Sequence, residues 1–188
     1  MSMQPHKLDT REKIILTFKE LVMEKSIDKI KIKDITDRIG MTRPTFYTYF
    51  QDKYEVVEYI FTQEVIEPVI PFIKNGFIRE GVLCILMQMD KDKDFYREAS
   101  RGSGQNSFQE MLHRTSFDLL LDMVSEKVKL KKKGILSVTL VAEYYENIFQ
   151  FVIRKWLNEK EEIPPAEMMQ IYDFLVSRSI NDLMEGNV

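Results

Sequence analysis

The sequence predicts an all-α protein of about nine helices, and three observations carry that reading. Leu, Ile, Met, Glu and Lys are plentiful, whereas the 188 residues include only 7 Gly and 6 Pro, a balance that favours long helices over turn-rich sheets. Apolar residues recur three and four apart through most of the chain, the period of a helix with one face in a core. Glycines and prolines fall largely between the periodic stretches, where they stop or start helices.

From Leu8 to Lys25, the residues Ile14, Ile15, Phe18, Leu21 and Val22 fall at i, i+1, i+4, i+7 and i+8, the stripe of a first amphipathic helix. The polar segment Ser26 to Lys31 interrupts it. Ile32, Ile35 and Ile39 then mark a short second helix, stopped by Gly40, a residue suited to the left-handed conformation after a helix end. Thr42 sits where an N-cap belongs and Pro44 just inside a third helix, predicted over Arg43 to Phe50. Beyond Gln51 and Asp52, the residues Val56, Val57, Ile60, Phe61 and Val65 predict a fourth helix from Lys53 that Pro68 and Pro71 end or kink.

Further helices are expected near Phe77 to Met89, Asp94 to Ser100, Ser107 to Lys131, Ile135 to Asn158, and from Pro165 to near Met184. A loop over Arg101 to Asn106, Gly134, and the stretch Glu161 to Pro165 separate the later ones. The division expected is a head over residues 1–53 and a helical body over 54–188, joined by the fourth helix.

Composition excludes several classes. With 44% hydrophobic and 30% charged residues the chain is neither a disordered polymer nor a membrane protein, and no run approaches the ~18 apolar residues of a span. The start has no apolar signal region, and the lone Cys84 suits a reducing compartment, so a cytoplasmic location is expected. Catalysis is not expected: there is no Ser/His/Asp set, glycine-rich phosphate loop or Cys/His metal cluster, and His113 lies among polar neighbours as a surface histidine. No cofactor and no metal follow. The net charge of −3 divides unevenly, with 11 basic against 9 acidic residues up to position 55 and 16 against 21 beyond it.

Two short helices joined by a tight turn and flanked by longer ones form a helix-turn-helix, whose second short helix enters the major groove. At 100° per residue Phe46 and Phe50 share one side of that helix, while Pro44, Thr45 and Thr48 point away and Arg43, Tyr47 and Tyr49 occupy the flanks. The outward set suits base edges and phosphates, because a guanidinium bridges guanine O6 and N7 and hydroxyls bond either strand.

The stretches Thr10 to Leu16 (TREKIIL) and Lys33 to Lys53 (KDITDRIGMTRPTFYTYFQDK) resemble the amino-terminal domain of TetR/AcrR-family transcriptional regulators. The resemblance covers roughly the first 55 to 60 residues. It implies that Tyr47 touches a phosphate or thymine methyl, that Thr45 and Tyr49 contact the backbone, and that Lys53 anchors the fourth helix to phosphate. It also implies that Arg43 and Pro44 read bases, and Thr42 and Thr48 complete the set. Lys31 stands where the family has a threonine, so the neutral cap is lost; Asp34 can favour the helix dipole, and Lys31 and Lys33 either reach phosphate or are solvated surface.

In the body, Val141, Tyr145, Ile148, Val152 and Trp156 form one stripe, and Met168, Tyr172, Leu175, Val176, Ile180 and Leu183 another. The expected antiparallel pair has more apolar surface than one partner helix covers. Either a two-fold copy completes a four-helix bundle, matching the homodimer that TetR-like proteins use on palindromic operators, or the second face packs on the protein's own middle helices. Half-sites would lie ~34–36 Å or a multiple apart.

An effector pocket, where one exists, is expected among Phe77, Met87, Phe95, Tyr96, Phe108, Met111, Phe117, Tyr144 and Phe151, with most of these ordinary core. The 11 Met could make such a cavity deformable or simply fill the core. The basic run Glu126 to Lys133 reads as a charged helix end rather than a second nucleic-acid patch. Asp94 to Ala99, Gly104 to Phe108, Tyr144 to Glu146 and Lys155 to Leu157 resemble one Gram-positive subgroup of the family that includes a regulator of dihydroxyacetone kinase. The expected partners are therefore double-stranded DNA, a second copy and a small-molecule effector, with repression the commoner mode; the alternative is a ligand-independent regulator or an adaptor whose body docks a protein.

Overall fold

The computed structural model describes residues 9–102, 107–127 and 137–185. Among these residues the chain forms eleven α-helices and no strand.

Helix α1 (Thr10–Glu24) starts in a reciprocal cap: Asp9 accepts the Glu12 N–H at 2.8 Å and Glu12 accepts the Asp9 N–H at 2.8 Å. It buries Ile14, Phe18, Leu21 and Val22. A 3₁₀ turn over Ile27–Lys29 leads to α2 (Ile32–Ile39), α3 (Arg43–Tyr47) and α4 (Lys53–Phe61), the last capped by Asp52 on the Tyr54 and Glu55 N–H groups. Helix α3 is shorter than predicted. It ends at Tyr47 because the chain tightens there, the Thr48 N–H bonding Thr45 and the Tyr49 N–H bonding Phe46, although Phe50 still returns its N–H to Phe46 at 3.1 Å.

The linking helix also departs from expectation. After Phe61 it widens into a π-turn over Thr62–Ile66, in which the Glu67 N–H reaches back five residues to Thr62 at 2.8 Å. Pro68 follows that turn, and Pro71 opens α5 (Ile70–Asn75) rather than ending a helix, since its missing N–H costs nothing in a first turn.

The body continues with α6 (Ile78–Asp90), α7 (Lys93–Ser100), α8 (Phe108–Lys127), α9 (Val138–Asn158), α10 (Pro165–Ser177) and α11 (Ile180–Met184). Ser137 caps α9 by accepting the Leu140 N–H. The predicted last helix is broken in two because Ser179 and Asp182 cap each other reciprocally, diverting the backbone from helical bonding between them. Gly134, most of the basic run and part of the Arg101 to Asn106 loop lie outside the described residues.

One hydrophobic core runs through head and body, from Ile14 and Phe18 through Ile60, Phe61, Leu86 and Tyr96 to Ile153, Trp156 and Met169. Two further contacts among the described residues add to this core. Lys19 of α1 holds Glu64 of the π-turn at 2.8 Å and Asp92, just before α7, at 2.6 Å. Gly102 packs so tightly on the 3₁₀ turn that a Cβ there would lie 2.6 Å from Ile27 Cγ2. No described helix is long and apolar enough to cross a membrane.

Candidate DNA-binding surface

The turn between α2 and α3 is set by Gly40, whose φ of 68° is left-handed and which lets Met41 return its N–H to Thr36 at 3.0 Å. Thr42 then caps α3, accepting the Thr45 N–H at 3.3 Å, with its hydroxyl 2.8 Å from that of Thr45. A β-branched hydroxyl and a proline in the first turn thus start a five-residue helix with little propensity of its own. Tertiary packing holds it. Phe46 is 0% and Phe50 3% exposed, with ring centroids 6.1 Å apart, and Tyr59 meets Phe50 edge-on at 5.6 Å.

The opposite surface is open: Tyr47 is 56% exposed, and Thr42, Arg43, Pro44, Thr45 and Thr48 are exposed around it. Tyr49 differs. It is half-buried, and the Arg11 guanidinium lies 5.9 Å from its ring. Lys31 and Lys33 stand exposed at the start of α2, Lys33 reaching Asp37 at 4.0 Å.

Lys53 does not stand out as a free cation. Its ammonium donates to the carbonyls of Ile27, Asp28 and Ile30 at 2.7, 2.9 and 3.0 Å, clamping the 3₁₀ turn to the start of α4. All three of its N–H groups have acceptors inside the protein. Partial burial pushes its pKa down, against the carboxylates of Asp28 and Asp52.

Charges elsewhere in the head are sorted by position. Arg38 grips Glu24 through two bonds of 2.8 Å, Lys25 meets Asp34 at 2.6 Å, and Lys19 is held as described above. Arg11, Lys31 and Arg43 make no ion pair with any described residue. The Lys31 N–H donates to Asp34 Oδ2 at 2.9 Å, so the carboxylate serves the start of α2. The Lys25 side chain and this N–H together hold the Asp34 pKa below its ordinary 3.8. A folded-state pKa below the unfolded one stabilises above the unfolded value, and that contribution is lost as pH falls through the folded value. Asp34→Asn should therefore flatten the acid-induced loss of helicity below about pH 4, read by circular dichroism against the wild type; parallel curves would remove Asp34 from this role.

The body redistributes the expected pocket residues. Phe95, Tyr96 and Phe108 join Phe61 in a buried aromatic cluster with centroids 5.2 to 6.3 Å apart. Met111 is buried beside them; Phe77, Met87, Tyr144 and Phe151 are exposed. Phe117 stacks on His113, whose Nδ1 lies 2.9 Å from Oε1 of Glu146, itself 1% exposed. The histidine is thus partly at the surface, as expected, but serves as partner to a buried carboxylate.

An open apolar cleft of about 340 Å³ does exist, lined by Ile78, Leu120, Met123, Val141, Tyr145, Tyr172 and Val176, and it adjoins a smaller one that reaches Ile73, Leu119 and Ser116. Val141, Tyr145, Tyr172 and Val176, expected at a dimer interface, line this cleft, and Tyr145 is also exposed. Val152, Trp156 and Met168, also expected at that interface, are buried in the core of the single chain. Trp156 donates its indole N–H to Ile163 at 2.8 Å, and the Lys93 ammonium lies 4.5 Å over its ring. Ile148, Leu175 and Val176 are half-buried, Ile180 is exposed, and the Leu183 side chain lies outside the described residues. Exposed apolar groups of α9 and α10 are Leu140, Tyr144, Tyr145, Phe151 and Ile171, with Ile180 and Met184 of α11 beyond them.

A helix-turn-helix whose second helix is anchored by buried aromatics and open on its polar face, carried on a helical body, defines a transcriptional regulator. Residues 14–60 match the profile described as bacterial regulatory proteins, tetR family. Residues 76–178, more than half of the chain, match that of a transcriptional regulator C-terminal region. The chain belongs to the TetR family. It is similar, at 27% identity over 89 residues, to the HTH-type dhaKLM operon transcriptional activator DhaS of Lactococcus lactis, a match covering 47% of this chain and 48% of that protein, about half its length.

Solved structures share the fold. A TetR-family regulator of Syntrophomonas wolfei superposes with a TM-score of 0.62 at 19% identity, over 90% of this chain and 96% of that one. A TetR/AcrR-family regulator of Thermobifida fusca gives 0.56 at 22%, over 90% and 98%. The dihydroxyacetone kinase operon activator DhaS gives 0.53 at 17%, over 90% and 93%.

Proposed function

We propose that the chain is a sequence-specific DNA-binding regulator, not an enzyme, in which residues 1–53 read a palindromic operator and residues 54–188 dimerise and receive a signal. The observation that carries this reading is the division of α3 and the turn that closes it, with Phe46 and Phe50 buried and Arg43, Thr45, Tyr47 and Thr48 offered outward. Selection of bound duplexes from a random pool tests it; recovery of a palindrome supports both DNA reading and two-fold symmetry, and recovery of no preferred sequence defeats the reading.

Within that reading Arg43 contacts a base. Arg43→Ala should cost about 1–3 kcal/mol at particular base pairs of the recovered site, measured by competition binding with single-base variants. An equal loss on every variant would move Arg43 to the backbone.

The two-fold contact is best supported by the exposed apolar row of α9, Leu140, Tyr144 and Phe151, which lie four and seven residues apart on one face; Ile171 of α10 is exposed as well. The open cleft around Met123 and Tyr172 is the place for a small-molecule effector, whose influence on operator affinity equals its differential affinity for the two states. A second reading, in which a protein docks on the body, is favoured by exposed Phe77 and Met87 at the two ends of α6. Family resemblance implies repression, whereas the Lactococcus relative is named an activator; a promoter fusion assayed with and without the chain reads the sign directly.

A further inference from the structure

We infer that Arg11 is a backbone-phosphate contact whose aim is set by two tyrosines, a binding residue outside the recognition helix. The inference rests on the DNA-binding reading above and adds a contact that the helix-turn-helix motif does not supply.

Arg11 is the second residue of α1, and the reciprocal Asp9–Glu12 cap fixes the backbone from which its side chain leaves. Its guanidinium carbon lies 5.9 Å from the centroid of Tyr49, in the turn that closes α3, and 5.2 Å from that of Tyr59 on α4. Tyr59 is itself set edge-on against Phe50, one of the two anchors of α3. The cation is thereby tied to the same aromatic packing that positions the recognition helix. Any shift of α3 relative to α1 would have to break these contacts.

The chemistry of this holding matters. Cation–π attraction engages the charge of a guanidinium without using an N–H, so its five donors remain available. No described carboxylate lies within ion-pair distance of Arg11, while Asp9 and Glu12 satisfy each other's backbone. The head's other arginine outside α3, Arg38, is neutralised by Glu24. An oriented, unneutralised guanidinium beside the end of the recognition helix matches a phosphate oxygen pair, which it can bond bidentately. A free surface arginine would first have to lose its side-chain freedom; this one has already lost part of it.

The test measures affinity against salt concentration for the full-length chain, using the palindrome recovered by selection and a mixed-sequence duplex. Phosphate contacts carry no sequence information, so Arg11→Ala should weaken binding to both by a similar factor, about tenfold at ~0.1 M salt, and lower the slope of log affinity on log salt by about one. Arg11→Lys should keep the slope and lose affinity several-fold, because an ammonium holds the charge but not the stacked, forked geometry. Thermal unfolding of each variant, and Arg11→Gln as an uncharged replacement of similar length, separates this from a folding defect. An unchanged slope in Arg11→Ala or Arg11→Gln would overturn the inference and leave Arg11 as a lid on Tyr49 and Tyr59, and a changed base preference would overturn it in favour of a groove contact. Failure of the wild type to bind either duplex at the lowest salt is a different outcome: it removes the DNA reading itself.

Discussion

Phe46→Ala is expected to unfold the head and abolish operator binding. Phe46 is fully buried between α3 and the helices behind it, and truncating such a ring costs about 3–5 kcal/mol through lost transfer energy and a residual cavity. Phe46 is the one buried residue within α3, and Phe50 anchors the chain only beyond its end; Thr42 and Pro44 start the helix, but a single turn is unstable without packing. Thermal unfolding followed by circular dichroism, with duplex binding measured alongside, provides the check. A midpoint within a degree or two of wild type would mean that the ring is not what holds α3, and would take the outward geometry of Tyr47 with it.

Trp156→Ala is expected to destabilise the body by a similar ~3–5 kcal/mol, and to do so independently of protein concentration. Trp156 is completely buried within one protomer, donates its indole N–H to the Ile163 carbonyl, and covers the buried Lys93 ammonium. Truncation therefore opens a cavity and strips a cation of its aromatic cover at once. Phe151→Glu provides the contrast, since Phe151 is 45% exposed on the outer side of the same helix. That variant should leave the fold intact and shift the equilibrium towards monomer, read by sedimentation. If instead Trp156→Ala changed association while Phe151→Glu changed only stability, the two faces of α9 would have been assigned the wrong way round.

The burial of Val152, Trp156 and Met168 within one chain shows where sequence reasoning succeeds and stops. Period and capping gave the location of most helices, because Gly40, Thr42, Pro44 and Asp52 act through local backbone geometry that a neighbour cannot change. The division of α3 was legible for the same reason: in a helix of one or two turns only one arrangement buries both phenylalanines. Helix α9 is different. Its apolar residues extend around more than one side, and choosing between the Val152–Trp156 side and the Tyr144–Phe151 side depends on where α8 and α10 lie, which is a property of the tertiary fold. The pocket residues divide for the same reason: Phe108 and Met111 line a cavity of about 260 Å³ against the start of α4, while Tyr96 is simply core.

Single charged residues were the least legible. Nothing in the spacing of Lys53 says that its ammonium closes on three carbonyls some 23 to 26 positions earlier, or that Arg11 meets Tyr49 and Tyr59. Long flexible side chains choose partners after the backbone is placed. The reciprocal pair of Ser179 and Asp182 that divides the last helix, by contrast, had the three-residue spacing of a capping box and was available to be read.

The widened turn at Thr62–Ile66 carries one residue more than a regular helical turn would use. Because that surplus is taken up within the one wider turn, the chain on either side keeps nearly the angular relation that four residues of regular winding would give. Excising one residue here and letting the stretch revert to regular winding should therefore preserve the facing of head and body, whereas one further residue wound regularly would turn them by about 100° against each other and tear the core they share.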